Sequence, residues 1–225
     1  EDNFDVNFVS LSPNNAAAWG IFFNQGEICN AASRLLVEES VKDAFVEKVV
    51  ARSKNYAPGD PLDPDSVAGA IVSEAQMKRV LGYVEGAEKE GAKLAIGGKR
   101  VRGDSGGFYV EPTVFDGVQN THKLAREEVF GPVLGVIAFK NEDEAVRIAN
   151  DTVYGLASGL WTGNVSRAHR VARALRTGLV WVNGWDACDI TVPFGGMKQS
   201  GFGRDRSLHA LEKYTELKGI SITYG

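Results

Sequence analysis

The residue best suited to chemistry in this 225-residue sequence is a cysteine in the run Phe22-Phe23-Asn24-Gln25-Gly26-Glu27-Ile28-Cys29-Asn30-Ala31-Ala32-Ser33-Arg34. The apolar stretch before it ends near Phe23, and Gly26 permits a tight backbone turn just ahead of Cys29. Small and polar neighbours suit a thiol at the mouth of a pocket. Backbone N–H groups there can hold the oxyanion that forms when the sulfur attacks a carbonyl. Taken alone, a cysteine beside Ile28 and Ala31 more often describes a buried core thiol.

Other chemistries find less support. Three histidines without an HExxH pattern, and two cysteines (Cys29 and Cys188) without a CxxC pair, give no metal centre and no disulfide framework. The cysteine usage fits a reducing, cytoplasmic compartment. A net charge of −4 argues against a protein that tracks nucleic-acid phosphates. The apolar runs Ala16–Phe23 and Val136–Phe139 are too short to span a bilayer, and the acidic, polar residues 1–10 do not read as a signal peptide.

The elements that must position Cys29 alternate between helix and strand. Ser12-Pro13 reads as an N-cap and first helical residue, and Ser40 as the cap of a helix carrying Val41, Phe45, Val49 and Val50. Ser73 opens a long helix (Met77, Val80, Leu81, Val84) that Gly91 closes. Further helices are expected at 142–150, 165–175 and near 207–214, with a breaker-rich surface loop at 58–64. Strands are expected at 34–37, 93–96, 109–115, 132–139, 156–161, 179–182 and 220–224, and the unbroken apolar run at 132–139 suggests a strand covered on both faces. The pattern predicts one α/β domain over 1–225, a mainly parallel sheet with helices on both faces.

Four ordered motifs give these elements a family. The segment around Cys29, Glu127-Glu128-Val129-Phe130-Gly131-Pro132, Asn150-Asp151-Thr152-Val153-Tyr154-Gly155-Leu156 and Pro193-Phe194-Gly195-Gly196-Met197-Lys198-Gln199-Ser200-Gly201 resemble, in order, motifs of the aldehyde dehydrogenase superfamily. The resemblance implies its catalytic domain and a two-stage reaction: attack of Cys29 on an aldehyde, hydride loss to NAD or NADP, then hydrolysis of a thioester. It implies that Glu128 binds the nicotinamide ribose and that Phe130 packs near the nicotinamide ring. Gln76 and Arg79 resemble the family's Gln-x-x-Lys pair that reaches the cofactor ribose, with arginine in place of the commoner lysine. Phe23, Phe194 and Asp189 are implied at the substrate pocket, Cys188 as a residue shaping it.

The stretches Asp189–Pro193 and Arg204–Tyr214 resemble the subgroup that oxidises aminoaldehydes. An acidic entrance would draw a cationic or amine-bearing aldehyde. Expected partners are therefore a small aldehyde, no nucleic acid and no membrane. The parent is expected to be a homodimer or homotetramer, its terminal strand packing against another subunit.

Two family features are not found. No GxGxxG fingerprint occurs, since Gly201-Phe202-Gly203-Arg204-Asp205-Arg206 fails at the third glycine, and no Glu-Leu-Gly-Gly motif carrying the general base precedes Cys29. The dinucleotide-binding domain, which holds most of the cofactor, and the base are expected upstream, leaving the isolated chain inactive. Two alternatives stay open: a relative that passes its acyl group to coenzyme A or phosphate, and a folding or oligomerisation fragment.

Overall fold

The computed structural model describes residues 12–187 and 189–225; Cys188 and the acidic N-terminal residues 1–11 lie outside the described residues. Its centre is a four-stranded sheet in the order β1-β6-β5-β2, built from β1 (Arg34–Glu38), β2 (Lys93–Ile96), β5 (Thr113–Asp116) and β6 (Val133–Phe139). β6 runs parallel to both neighbours, with Leu35 opposite Val136 and Phe115 opposite Gly135, while β2 is the antiparallel edge.

Alternation along β6 explains its unbroken apolar sequence. Leu134 and Val136 join Val37 and Val114 under α1 (Pro13–Phe22) and α2 (Lys42–Ser53). Val133 and Ile137 join Phe115 under α3 (Glu74–Lys89), α4 (Lys123–Arg126) and α5 (Glu142–Asn150). The expected parallel sheet with helices on both faces is thus present. Burial of these aliphatic and aromatic side chains, roughly 1.5–3 kcal/mol each, is the main force holding the two layers together.

Local signals vary in outcome. Ser73 caps α3 as expected, its hydroxyl accepting the Gln76 N–H at 3.2 Å. Ser12 precedes α1 without a side-chain cap; its carbonyl instead accepts the Ala16 N–H at 2.9 Å. Ser40 does not cap α2, because its hydroxyl turns to the Glu38 carboxylate at 3.1 Å and Val41 takes the cap position. Val41 is consequently exposed, and α2 buries Val46, Val49 and Ser53.

The strand expected over 109–115 is two. β4 (Tyr109–Val110) pairs with β3 (Arg100–Val101), and β5 begins after Glu111-Pro112. Pro112 has no N–H to give a ladder, so the chain changes partner there.

Beyond β6 the packing thins. β7 (Ala157–Leu160) and β8 (Leu179–Val182) form a separate parallel pair, and α6 (Val165–Ala174) between them has no fully buried residue. The expected C-terminal helix is a 3-10 segment, Leu208–Tyr214. The expected strand at 220–224 is not formed among the described residues, and Ile220 and Tyr224 are 75% and 88% exposed. No helix among the described residues is long and apolar enough to cross a membrane.

Candidate active site

α1 delivers the chain to the cysteine through a left-handed passage. Asn24, Gln25 and Gly26 have φ of 48°, 58° and 71° inside the 3-10 turn Phe23–Gly26. At Gly26 glycine is required twice over, because an added Cβ would also overlap the carbonyl oxygen of Gly131. Gln25 secures the turn by donating to the Ala70 carbonyl at 3.2 Å, and Glu27 by accepting the Val72 N–H at 3.2 Å. Burial raises the Glu27 carboxyl above its ordinary value, and the Val72 amide partly opposes that.

The Ala31 N–H then bonds the Ile28 carbonyl at 3.1 Å, which makes Cys29 and Asn30 the central pair of a tight turn. Cys29 is exposed rather than buried in a core. Asn30 donates its side-chain amide to Asp186 Oδ1 at 3.0 Å, a link across most of the chain.

On the far side of the Gly26–Gly131 contact lies the segment 127–131. Val129 is buried and anchors it, while Glu128 and Phe130 stand outward; Phe130 is 36% exposed at φ 56°. Gln76 and Arg79 converge on this segment from α3. The Gln76 amide donates to the Val129 and Phe130 carbonyls at 2.9 and 2.7 Å, and Arg79 donates to the Glu128 carbonyl at 2.8 Å. Arg79 also reaches Tyr83, whose hydroxyl donates to Glu127 at 2.7 Å. Burial, reinforced by that bond to a carboxylate, pushes the Tyr83 phenol up to about 12. The sequence reading missed Tyr83 and Glu127, although the α3 pattern signalled the helix face that carries Tyr83.

The loop after β8 starts through Asn183, whose side chain brackets Thr162 by accepting from its N–H at 2.8 Å and donating to its carbonyl at 3.0 Å. Trp185 follows, 4.9 Å from Trp181 ring to ring. A Cβ at Gly20 or Gly159 would come within 3.3 or 2.7 Å of the Trp185 ring, so one indole joins α1 to β7. Its buried Nε1 has no hydrogen-bond partner among the described residues.

Asp189 is exposed and accepts from the Thr191 hydroxyl and N–H at 2.7 and 2.8 Å; these bonds hold its carboxyl below the usual range. None of its bonds reaches the Cys29 turn. Phe194 pairs with Asp205 in an isolated antiparallel bridge, and the Arg206 guanidinium lies 5.5 Å from its ring. Phe23 stacks on Trp19 at 4.8 Å and remains 43% exposed.

The third and fourth motifs lock together. Lys198 donates to the Asn150 and Thr152 carbonyls at 2.9 and 3.2 Å, and Ser200 accepts the Gly155 N–H at 3.0 Å. Arg34 binds the Ile148 and Ala149 carbonyls at 3.2 and 3.0 Å, so two cations sit at the negative end of α5. Burial, then the nearby Arg34 and Arg176 charges, lower the Lys198 pKa.

An α/β scaffold thus presents a surface thiol on a tight turn, with a carboxylate and an aromatic ring on the adjoining segment. The aldehyde dehydrogenase family model matches residues 12–220, and the chain belongs to that family of oxidoreductases acting on aldehydes. It is 46% identical over 211 residues to a betaine aldehyde dehydrogenase of Mesorhizobium japonicum, covering 93% of this chain and 43% of that protein. The structure of a gamma-glutamyl-gamma-aminobutyraldehyde dehydrogenase from Burkholderia cenocepacia superposes with a TM-score of 0.88 at 59% identity, over 91% of this chain and 41% of that one. An indole-3-acetaldehyde dehydrogenase solved with NAD+ gives 0.90 at 56% identity, with the same coverages. The chain therefore spans less than half the length of these relatives.

Proposed function

We propose that residues 12–225 are one catalytic unit of an NAD(P)-dependent aldehyde dehydrogenase, with Cys29 as its nucleophile. The observation carrying this reading is the Gly26–Gly131 contact, which sets the Cys29 turn against the Glu128–Phe130 segment. Glu128 and Phe130 fit a nicotinamide riboside: a carboxylate can accept two hydroxyl donors, and an exposed ring can cover a planar heterocycle. Gln76 and Arg79 hold that segment through its carbonyls, so they shape the cofactor site whether or not they touch the ribose. A bound nicotinamide supplies the hydride acceptor.

The chain's own part is covalent. The Cys29 sulfur bonds the aldehyde carbon, and backbone N–H groups of its turn steady the oxygen as it gains charge. Once oxidised, the carbon remains on sulfur as a thioester until water releases a carboxylate. Phe23 and Phe194 line the approach. The sequence contains neither a Glu-Leu-Gly-Gly segment nor a GxGxxG fingerprint, so this 225-residue stretch alone is expected to form no NAD(P)H.

An aliphatic aldehyde bearing an amine, amide or guanidine is the proposed substrate class. It is supported by the exposed Asp186 and Asp189 carboxylates on the loop after β8 and by the nitrogen-bearing aldehydes in the names of two relatives. The Trp19–Phe23 stack and Trp185 favour a second reading, a neutral aromatic aldehyde such as the indole-3-acetaldehyde named for the third. We further propose assembly as a dimer or tetramer, supported by the exposed apolar tail residues Leu217, Ile220 and Tyr224, and a reducing, cytoplasmic compartment suited to a working thiol.

In the full-length protein, Cys29→Ala is expected to lower NAD(P)H formation more than about a thousandfold. Wild type stopped during turnover should carry an acyl adduct on the Cys29 peptide by mass spectrometry. Retained turnover in the variant would reject the assignment. Release of the adduct only by coenzyme A or phosphate would identify an acyl-transferring relative.

A further inference from the structure

We propose that Asp186, rather than Asp189, is the carboxylate that selects cationic aldehydes at the Cys29 site; the proposal rests on the aldehyde-oxidising reading above. Asp186 is the acidic residue bonded to the nucleophile turn, through Asn30 Nδ2 at 3.0 Å. That bond uses Oδ1 alone, so the exposed carboxylate keeps Oδ2 for a ligand. Asp189 also bonds through Oδ1 alone, but within its own turn, on the Thr191 hydroxyl and N–H, so the link to the nucleophile turn is what separates the two carboxylates.

The backbone supports the assignment. Asp186 adopts φ 57°, a region that non-glycine residues enter at a cost and that aspartate tolerates better than most. Nearby Asn183 shares this feature, and its side chain there clamps Thr162 on both sides. For Asp186 the distinguishing partner is Asn30, so the carboxylate in this unusual conformation is tied to the turn that carries Cys29.

Aromatic surface completes the recognition chemistry. Trp185, one residue away, lies against Gly20 of α1, and α1 presents the Trp19–Phe23 stack. A carboxylate tied to the Cys29 turn, on a loop whose Trp185 packs on α1, suits an ammonium or guanidinium group carried on a short alkyl chain from the aldehyde. A neutral aldehyde gains nothing from the charge, and one bearing a carboxylate is repelled.

The test uses the full-length protein with its dinucleotide, comparing kcat/KM for 4-guanidinobutanal and hexanal in wild type, Asp186→Asn, Asp186→Glu and Asp189→Asn. Asp186→Asn is expected to lower the guanidino-to-hexanal ratio about tenfold, mainly through KM, with partial recovery in Asp186→Glu and no change of ratio in Asp189→Asn. Protection of Cys29 from iodoacetamide by butylguanidinium should weaken in parallel, a readout that does not require turnover.

An unchanged ratio and unchanged protection in Asp186→Asn, equal losses for both aldehydes, or a ratio that falls in Asp189→Asn instead, would each overturn the proposal. Wild type that oxidises neither aldehyde would defeat the aliphatic-aldehyde reading, while the protection measurement would still decide the role of Asp186.

Discussion

The two flanks of the Cys29 turn are held by different physics. On the flank proposed for the cofactor, segment 127–131 is wedged between α3 and the turn: Val129 and Val80 are fully buried, a side chain at Gly131 would run into Val80, and one at Gly26 would run into the Gly131 carbonyl. On the flank proposed for the substrate, Trp185 packs inward against Gly20 and Gly159, but the rest of the loop after β8 hangs on polar bonds (Asn183–Thr162, Asn30–Asp186, and the Ser207 N–H to the Ile190 carbonyl at 2.7 Å), and Asp186, Ala187, Asp189 and Ile190 are exposed. Packed contacts fail as a unit, whereas solvent-facing polar contacts can change one by one. The difference teaches that the cofactor side has little freedom to vary, while the substrate side can be retuned without unfolding the protein.

The sharpest way to break this comparison is Gly26→Ala. The new methyl meets backbone on the cofactor side in a left-handed conformation, so a loss of about 3 kcal/mol or more is expected in urea unfolding. A loss below about 1 kcal/mol would show that the packed flank yields as readily as the polar one.

Gln76→Ala tests the same flank more gently. It strips donors from two carbonyls, at a cost of about 1–3 kcal/mol, and should speed amide exchange across 127–131 and weaken dinucleotide binding in the full-length protein. Unaltered exchange there would mean that packing alone holds the segment.

The smallest effect concerns Glu27. Its raised carboxyl makes the folded chain bind a proton more tightly than the unfolded chain, so stability falls as pH rises through that raised value and stays lower at pH 7. Glu27→Gln keeps an acceptor for the Val72 N–H and should be more stable at pH 7 by less than about 1 kcal/mol, the carboxylate being partly solvated. The advantage should vanish below the ordinary carboxylate range. Thermal melts at both pH values would check it, and a destabilised variant at pH 7 would show that the ionised carboxylate contributes favourably.

Sequence patterning exposed the elements whose causes are local. The helix at Glu142–Asn150 and the strand at Leu179–Val182 were readable because periodicity and flanking polar residues lie within one turn of them. Ser40 misled because a nearby carboxylate, Glu38, competes for its hydroxyl. The strand at 220–224 misled because β-propensity says nothing about whether a neighbouring strand is present. At the site, the ordered motifs singled out Cys29, Glu128 and Phe130 as candidates, and the structure brings their two segments together. They could not reveal that Gln76 and Arg79 would bind main-chain carbonyls, or that Asn30 would meet Asp186, because those pairs lie far apart in sequence.

The meeting of Gly26 with Gly131 also has a consequence in time. Gly26 lies shortly before β1 and Gly131 just before β6, so pairing of those two strands already closes most of the loop between the two glycines and makes their contact a cheap further step. The turn bearing the thiol is thus expected to take its native shape with that strand pairing or after it. Following the alkylation of Cys29 alongside sheet formation in a refolding sample would test that order, and an alkylation rate that stays constant throughout would show that the turn leaves the thiol unaltered.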